Sequence, residues 1–449
     1  MKPLSTLTHS VTLDVDKCMG CTTCIRHCPT EAIRVRGGKA KIITERCIDC
    51  GQCILVCPHH AKQAVFDRWE EHQGRFAYKV ALPAPSLYGQ FNNLEDIDYV
   101  LTGLIRFGFD AVFEVASAAE VISDYTRRLL AEGTLHKPII SSACPAVVRL
   151  IRARFPHLCE HVLPVAAPVH LAAALARARA VEQTGLDPEQ IGIFFLSPCP
   201  AKVTDAQYPV GLEKSEIDCV LAISDIYRGL LKQMNRLQDT EALTTTGIMG
   251  IGWASSGGES SALLKEKYLA ADGIDHVIQV LEELEDEKLT DLDFIELNAC
   301  TGGCVGGAFT VENPFVAKAR IQMLRKYLPI SRNKYDGQGP AAAAIDWRQK
   351  LEYQPVMPLD EDLVAAMEKL QQIEQLAQEL PGLDCGACGA PSCRALAEDV
   401  VRGKASVSDC LFILKRKLDR LFADVRGDAL SMNGPGAAPP KEDGPHERT

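Results

Sequence analysis

Short apolar runs and helical spacings alternate through the middle of the chain. Val80-Ala81-Leu82, Ile191-Gly192-Ile193-Phe194-Phe195-Leu196 and Phe294-Ile295-Glu296-Leu297 read as buried strands. Between them, 118–131 and 168–184 place apolar residues at helical intervals. Strands alternating with helices predict an α/β region with mostly parallel sheet over 76–352. Beyond it, 353–425 is predominantly helical: 359–379 has helical spacing, Pro381-Gly382 breaks it, and 407–425 is a second amphipathic stretch. From Asn433 the chain is rich in proline, glycine and charge, and 426–449 is expected to be a disordered tail. Residues 1–75 are short, cysteine-dense and internally repeated.

Composition narrows the picture. The 449 residues are 47% hydrophobic and 24% charged, enough for a sizeable core and for several domains. A net charge of −11 argues against nucleic-acid or anionic-membrane binding and suits a basic electron-transfer partner. The most apolar stretch, 163–180, is interrupted by Pro164, Pro168, His170, Arg177 and Arg179, so no membrane span is expected. Met1-Lys2-Pro3-Leu4-Ser5-Thr6 leads into no apolar leader core. Eighteen cysteines in such a chain point to a reducing cytoplasm, with thiolates available as metal ligands.

Sixteen of the eighteen fall into four groups. Cys18-x2-Cys21-x2-Cys24-x3-Cys28-Pro29 recurs as Cys47-x2-Cys50-x2-Cys53-x3-Cys57-Pro58. This is the run of bacterial two-cluster ferredoxins, in which the fourth cysteine of each run ligates the other cluster. Cys18, Cys21, Cys24 and Cys57 are expected to hold one 4Fe–4S cluster, and Cys47, Cys50, Cys53 and Cys28 a second. A lone CxxC would leave zinc open; the doubled run favours iron–sulfur. His27, His59 and His60 beside the motifs read as surface or packing residues.

Near the other end, Cys385-x2-Cys388-x4-Cys393 is followed by Cys410. Gly386 and Gly389 let the backbone wrap closely, and 394–402 reads as a helix returning the chain to Cys410. Four cysteines allow zinc or iron. The spacing resembles a small four-cysteine iron–sulfur domain of redox-complex and corrinoid-associated subunits, which implies a third accessory 4Fe–4S cluster.

The central region carries Ser141-Ser142-Ala143-Cys144-Pro145, Leu196-Ser197-Pro198-Cys199-Pro200-Ala201-Lys202 and Asn298-Ala299-Cys300-Thr301-Gly302-Gly303-Cys304. Each follows a strand, the end at which open α/β sheets place their sites. If the loop is helical, Cys300 and Cys304 lie about one turn apart and face one metal centre. Cys159 and Cys219 lie outside every motif and read as small buried hydrophobes.

These three loops resemble the signature loops of FeFe hydrogenases over roughly residues 80–345, and the cysteine-rich head resembles that family's accessory domain. The resemblance implies an H-cluster: a 4Fe–4S cluster on Cys144, Cys199, Cys300 and Cys304, with Cys304 bridging to a diiron subcluster that carries CO, cyanide and azadithiolate. It implies that Lys202 hydrogen-bonds one cyanide. Ala84-Pro85-Ser86 resembles the segment at the other cyanide, with Ser86 as donor. Residues 253–259 resemble a further glycine-rich wall of the site. Implied partners are H2 and protons, a ferredoxin or other redox partner, a signalling partner and the hydrogenase maturation proteins.

Departures from the family pattern are informative. Where its active members carry a proton-passing cysteine before the first ligand, this chain has Ala143. Ser197 and Asn298 stand where methionines flank the diiron site. Val121 stands where a relay carboxylate is expected, with Asp124 and Arg128 nearby. Asp205 takes the place of a glutamate after the lysine, either beside the site or in solvent. This pattern resembles the sensory subgroups of the family and implies a slow, ferredoxin-linked oxidoreductase that reports on H2 or redox state. The alternative is an electron-transfer or cluster-assembly protein with the cubane alone and no diiron site.

Overall fold

The computed structural model describes residues 9–432, with side chains to residue 423. The chain divides into two compact units, one ending at Pro358 and the next starting at Leu359, a few residues past the expected boundary at 352/353. The strands are β1 (Val11–Leu13), β2 (Ile33–Arg36), β3 (Lys39–Ile42), β4 (Lys62–Ala64), β5 (Tyr78–Pro83), β6 (Ala111–Val112), β7 (Ile139–Ile140), β8 (Ile191–Ser197), β9 (Cys219–Ala222), β10 (Tyr268–Asp272) and β11 (Phe294–Asn298).

Two parallel sheets organise the first unit. One runs β6-β5-β8-β9, the other β10-β11-β7. All seven residues of β8 are buried, as expected of a parallel strand covered on both faces. On one face Ile193 and Phe195 pack with the helices Val115–Glu132 and Pro168–Thr184. On the other, Phe194 meets Trp69, Phe76 and Phe109 in an aromatic cluster with ring centroids 5.6–5.8 Å apart. Cys219 joins this second core and Cys159 packs under the other sheet, both as small apolar groups.

The head is built from the antiparallel pairs β1–β4 and β2–β3 and the short helices Thr23–Arg26 and Gln52–Leu55. It is seated on the central domain by Asp49. Its buried carboxylate accepts the Ser10 and Val11 amides, both at 3.0 Å, the Thr204 hydroxyl at 2.6 Å and the Arg149 guanidinium at 3.2 Å. Gly51, with φ of 76°, lies close enough that an added Cβ would meet Ala308 at 2.8 Å.

In the second unit, helices Leu363–Glu379 and Cys393–Val401 pack together, and the last helix runs Leu411–Met432. That helix carries regular backbone into 426–432, which the composition had assigned to the tail. The remainder of the tail lies outside the described residues. Among the described residues no helix is long and apolar enough to cross a membrane.

Removing one partner from a buried charge pair costs about 3–5 kcal/mol. Asp49→Ala is therefore expected to loosen the head. The check is limited proteolysis, with cleavage near residues 66–76 speeding up while the central domain stays resistant.

Candidate metal centres

Three loops meet at the C-terminal edges of the two sheets. β7 ends at Ile140 and leads through Ser141-Ser142-Ala143 to Cys144; β8 ends at Ser197 and leads to Cys199. Both cysteines are extended and cap helices whose first residue is proline, Pro145–Arg154 and Pro200–Gln207. Proline is favoured there because no amide hydrogen is needed. The helix N-termini direct partial positive charge at the two thiols.

The third loop differs from the sequence expectation. Cys300 to Gly303 is not helical; a 3₁₀ turn begins only at Cys304. Gly302 and Gly303 adopt φ of 78° and 91°, a region that side chains disfavour. A Cβ on Gly303 would overlap the Ser256 amide nitrogen. The tight turn still brings the thiols together: Cys300 lies within electrostatic reach of Cys199, Cys144, Cys304 and Cys50 of the head.

A cavity of about 50 Å³ opens beside Cys304, walled by Ala84, Ala143, Phe195, Lys202, Trp253 and Glu259 among others. A single water needs only ~10–15 Å³, so the space suits something larger. Lys202 donates to the Ala143 carbonyl at 3.3 Å. Burial alone would lower its pKa, but Cys304, Cys199 and Asp205 outweigh it and hold the lysine above its usual range. Ser86 is completely buried, and its hydroxyl finds no hydrogen-bond partner among the described residues. Orphaned buried donors are rare. With four gathered thiols and a lysine, it fits an anionic ligand set of the kind the sequence implied.

Several expectations resolve differently. Asp205 is buried, not solvated: it accepts from Val210 at 3.3 Å and pairs with His170 at 2.8 Å, and the His170 and Lys202 charges help to hold its carboxyl low against burial. Asp124 is bound to Arg127 and Arg128 at 2.8 and 2.9 Å, and neither it nor Arg128 lines the cavity. Glu120, on the same helix, is spent on Gly247, Arg332 and Asn333.

Two carboxylates, one in the glycine-rich stretch 253–259 and one in the strand 294–297, receive no role from the sequence alone. Glu259 and Glu296 are buried in the cavity wall. Burial pushes the Glu259 pKa well up, and Glu296 adds to it. Glu296 is also raised by burial, but the Gly257 and Ser260 amides and Asn298 stabilise its carboxylate at 2.9–3.0 Å. Glu259 accepts from Ser141 at 2.6 Å.

The other cysteines gather as well. Cys18, Cys21, Cys24 and Cys57 line one cavity of the head; Cys28, Cys47, Cys50 and Cys53 line another. Cys385, Cys388, Cys393 and Cys410 line a third, in the second unit. The Ala32 and Ala61 amides donate to the Cys28 and Cys57 sulfurs at 3.2 and 3.3 Å. His27 bonds its own helix and is exposed, as is His60; His59 borders the first cavity.

The parallel sheets and the loop cysteines at their edges define an iron–sulfur protein of the hydrogenase class. Residues 77–268 and 260–308 match the family described as "Iron only hydrogenase large subunit, C-terminal domain". Residues 10–58 match "4Fe-4S dicluster domain" and 380–412 "Putative Fe-S cluster". The chain belongs to the iron-only, or FeFe, hydrogenase family. It is 26% identical over 374 residues to the periplasmic Fe hydrogenase large subunit of Nitratidesulfovibrio vulgaris, covering 69% of this chain and 88% of that one. It is 23% identical over 281 residues to iron hydrogenase 1 of Clostridium pasteurianum, covering 50% of this chain and 48% of the relative, about half its length. A solved variant of the FeFe-hydrogenase HydA1 from Chlamydomonas reinhardtii overlaps with a TM-score of 0.48 at 16% identity, covering 61% of this chain and 92% of that one.

Burial pushes the Cys199 thiol up to about 12 and the Cys304 thiol to about 11, from 9.0. A raised thiol stabilises the metal-free fold fully below pH 9 and loses that contribution as pH rises through 11 to 12. Metal-free protein is thus expected to lose thermal stability across that window, and to alkylate slowly at these thiols near pH 8. Calorimetry and mass-resolved labelling check both.

Proposed function

We propose that the chain binds and reversibly oxidises H2 at an H-cluster with low turnover, acting as a sensor of H2 or redox state. In this reading Cys144, Cys199, Cys300 and Cys304 hold a cubane, with Cys304 shared with the diiron unit. Three accessory 4Fe–4S clusters occupy the other cysteine sets. The bound diiron unit supplies the chemistry that splits H2. Lys202 carries the reading: a part-buried ammonium beside Cys304, in the wall of a cavity with room for ligands. The orphaned hydroxyl of Ser86 supports it.

The chain's own groups then divide the work. Lys202 and Ser86 hold anionic ligands by charge-assisted and neutral hydrogen bonds. Phe195, Val169 and Trp253 keep water out. Ala143 cannot carry a proton, whereas Glu259 and Glu296 can hold one at the cavity wall. Electrons leave towards the head, because Cys50 lies beside Cys300. Ferredoxin or another redox protein would collect them, and a signalling partner would read the state. The wealth of thiols supports the cytoplasm as the compartment, and maturation proteins would have to install the diiron unit.

Infrared spectroscopy of protein loaded by hydrogenase maturases is expected to show CO and cyanide bands. Their absence after cubane assembly would leave an electron-transfer or cluster-assembly role instead. In loaded protein, Ala143→Cys is expected to raise H2 turnover by up to ~10²–10⁴-fold, the usual worth of a positioned proton carrier. Glu259→Gln is expected to lower turnover by about tenfold or more with the infrared bands unchanged.

A further inference from the structure

The two halves of the head repeat each other, and one position breaks the repeat. Cys28-Pro29-Thr30-Glu31-Ala32-Ile33 corresponds to Cys57-Pro58-His59-His60-Ala61-Lys62. The correspondence is structural, since each alanine amide donates to its cysteine sulfur, at 3.2 and 3.3 Å. Ile33 opens β2 and Lys62 opens β4, and both are only 2% exposed. An isoleucine in that place is ordinary core. A lysine is not, because charged side chains are almost never fully buried unless paired. The Lys62 ammonium nonetheless has no hydrogen-bond partner among the described residues.

Its surroundings show what it faces. Lys62 lines the cavity of Cys18, Cys21, Cys24 and Cys57. Burial raises the Cys24 thiol and the Lys62 charge works against that rise; the same charge also favours ionisation of Cys57 and reaches Cys53 of the neighbouring set. Among the described residues, the cavity of Cys28, Cys47, Cys50 and Cys53 has no lysine or arginine in its wall; burial, and after it the Asp49 charge, oppose ionisation of Cys47 and Cys50, with Arg149 paired to Asp49. The second cavity is the inner one, with Cys50 beside Cys300. The first is the outer one: Cys21 is exposed, and Met19 next to it is 68% exposed.

A cubane gains one negative charge when reduced, and nearby charge and hydrogen bonding set its potential. We infer that Lys62 makes the outer head cluster the more oxidising of the pair, so that electrons arriving from the central site come to rest at the surface, where a redox protein can take them. This rests on the reading that both head cavities hold cubanes. The lysine lines the wall of the outer cavity and only reaches the inner set at Cys53, whereas the corresponding place in the inner cavity is filled by the apolar Ile33.

The test is a potentiometric titration of the reconstituted full-length chain followed by electron paramagnetic resonance. The outer cluster is identified as the signal lost in Cys21→Ala. Lys62→Ile is expected to shift the equilibrium between reduced and oxidised outer cluster at least tenfold towards oxidised, about 59 mV lower for one electron. Lys62→Arg, which keeps the charge, should stay near the wild type, and so guards against a packing effect in the isoleucine variant. An unchanged potential in Lys62→Ile with four irons still bound at the site would overturn the inference alone. Wild-type protein that assembles no cubane in the head would overturn both the inference and the reading it rests on.

Discussion

To bind metal, four thiols must ionise where burial opposes it and where each thiolate opposes the next. Cys199, Cys300 and Cys304 all carry that penalty. Much of the central domain can be understood as the offset. Two of the ligand loops end on helix N-termini, the third turns tightly through two glycines with positive φ, and Lys202 supplies a full positive charge. The parallel sheets are what allow three separated segments to converge, because every strand of such a sheet delivers its following loop to the same edge.

Thiols and titratable groups are distributed unequally around the central site. Thiols follow one another densely from the central site outward: the central cysteines, then Cys50, then the paired cavities of the head. Titratable groups are sparser: Ala143 offers none, and Glu114, Glu120 and Asp124, at or in the helix Val115–Glu132, are engaged elsewhere. Glu114 binds Tyr88 and the threonines at 244–246, and Glu120 binds the loop at 332–333. What remains at the cavity is the Glu259 and Glu296 pair, which enters from the other sheet and its glycine-rich loop.

The parts that could be read from the sequence were those whose information is local. β8 stands out because it is apolar throughout, and the cysteine runs because metal ligation dictates spacing. Helix 168–184 was legible to the residue and the short strand Ile139–Ile140 could be read ahead of its cysteine loop, while β6, only two residues long, carried no pattern to find. Glu296 was hidden inside an apolar strand; its importance comes from amides 36 and 39 residues away in sequence. His170 looked like a polar flaw in an apolar helix until Asp205 was seen opposite it. The expected helical turn between Cys300 and Cys304 failed because two consecutive glycines take positive φ, which spacing alone cannot signal.

Gly51 has a consequence for how such a chain could have been put together. The head looks like a ferredoxin that could be exchanged for another, and its clusters depend only on its own cysteines. Yet the surface by which it sits on the central domain includes a residue with no side chain, closely fitted against Ala308 and Pro200. A donor module with even a methyl group there would need that seat to shift, and the spacing between Cys50 and Cys300 would shift with it. Modularity here stops at the joint: the cluster-binding motif is portable, but the fit that makes it electrically useful has to be inherited together with its host.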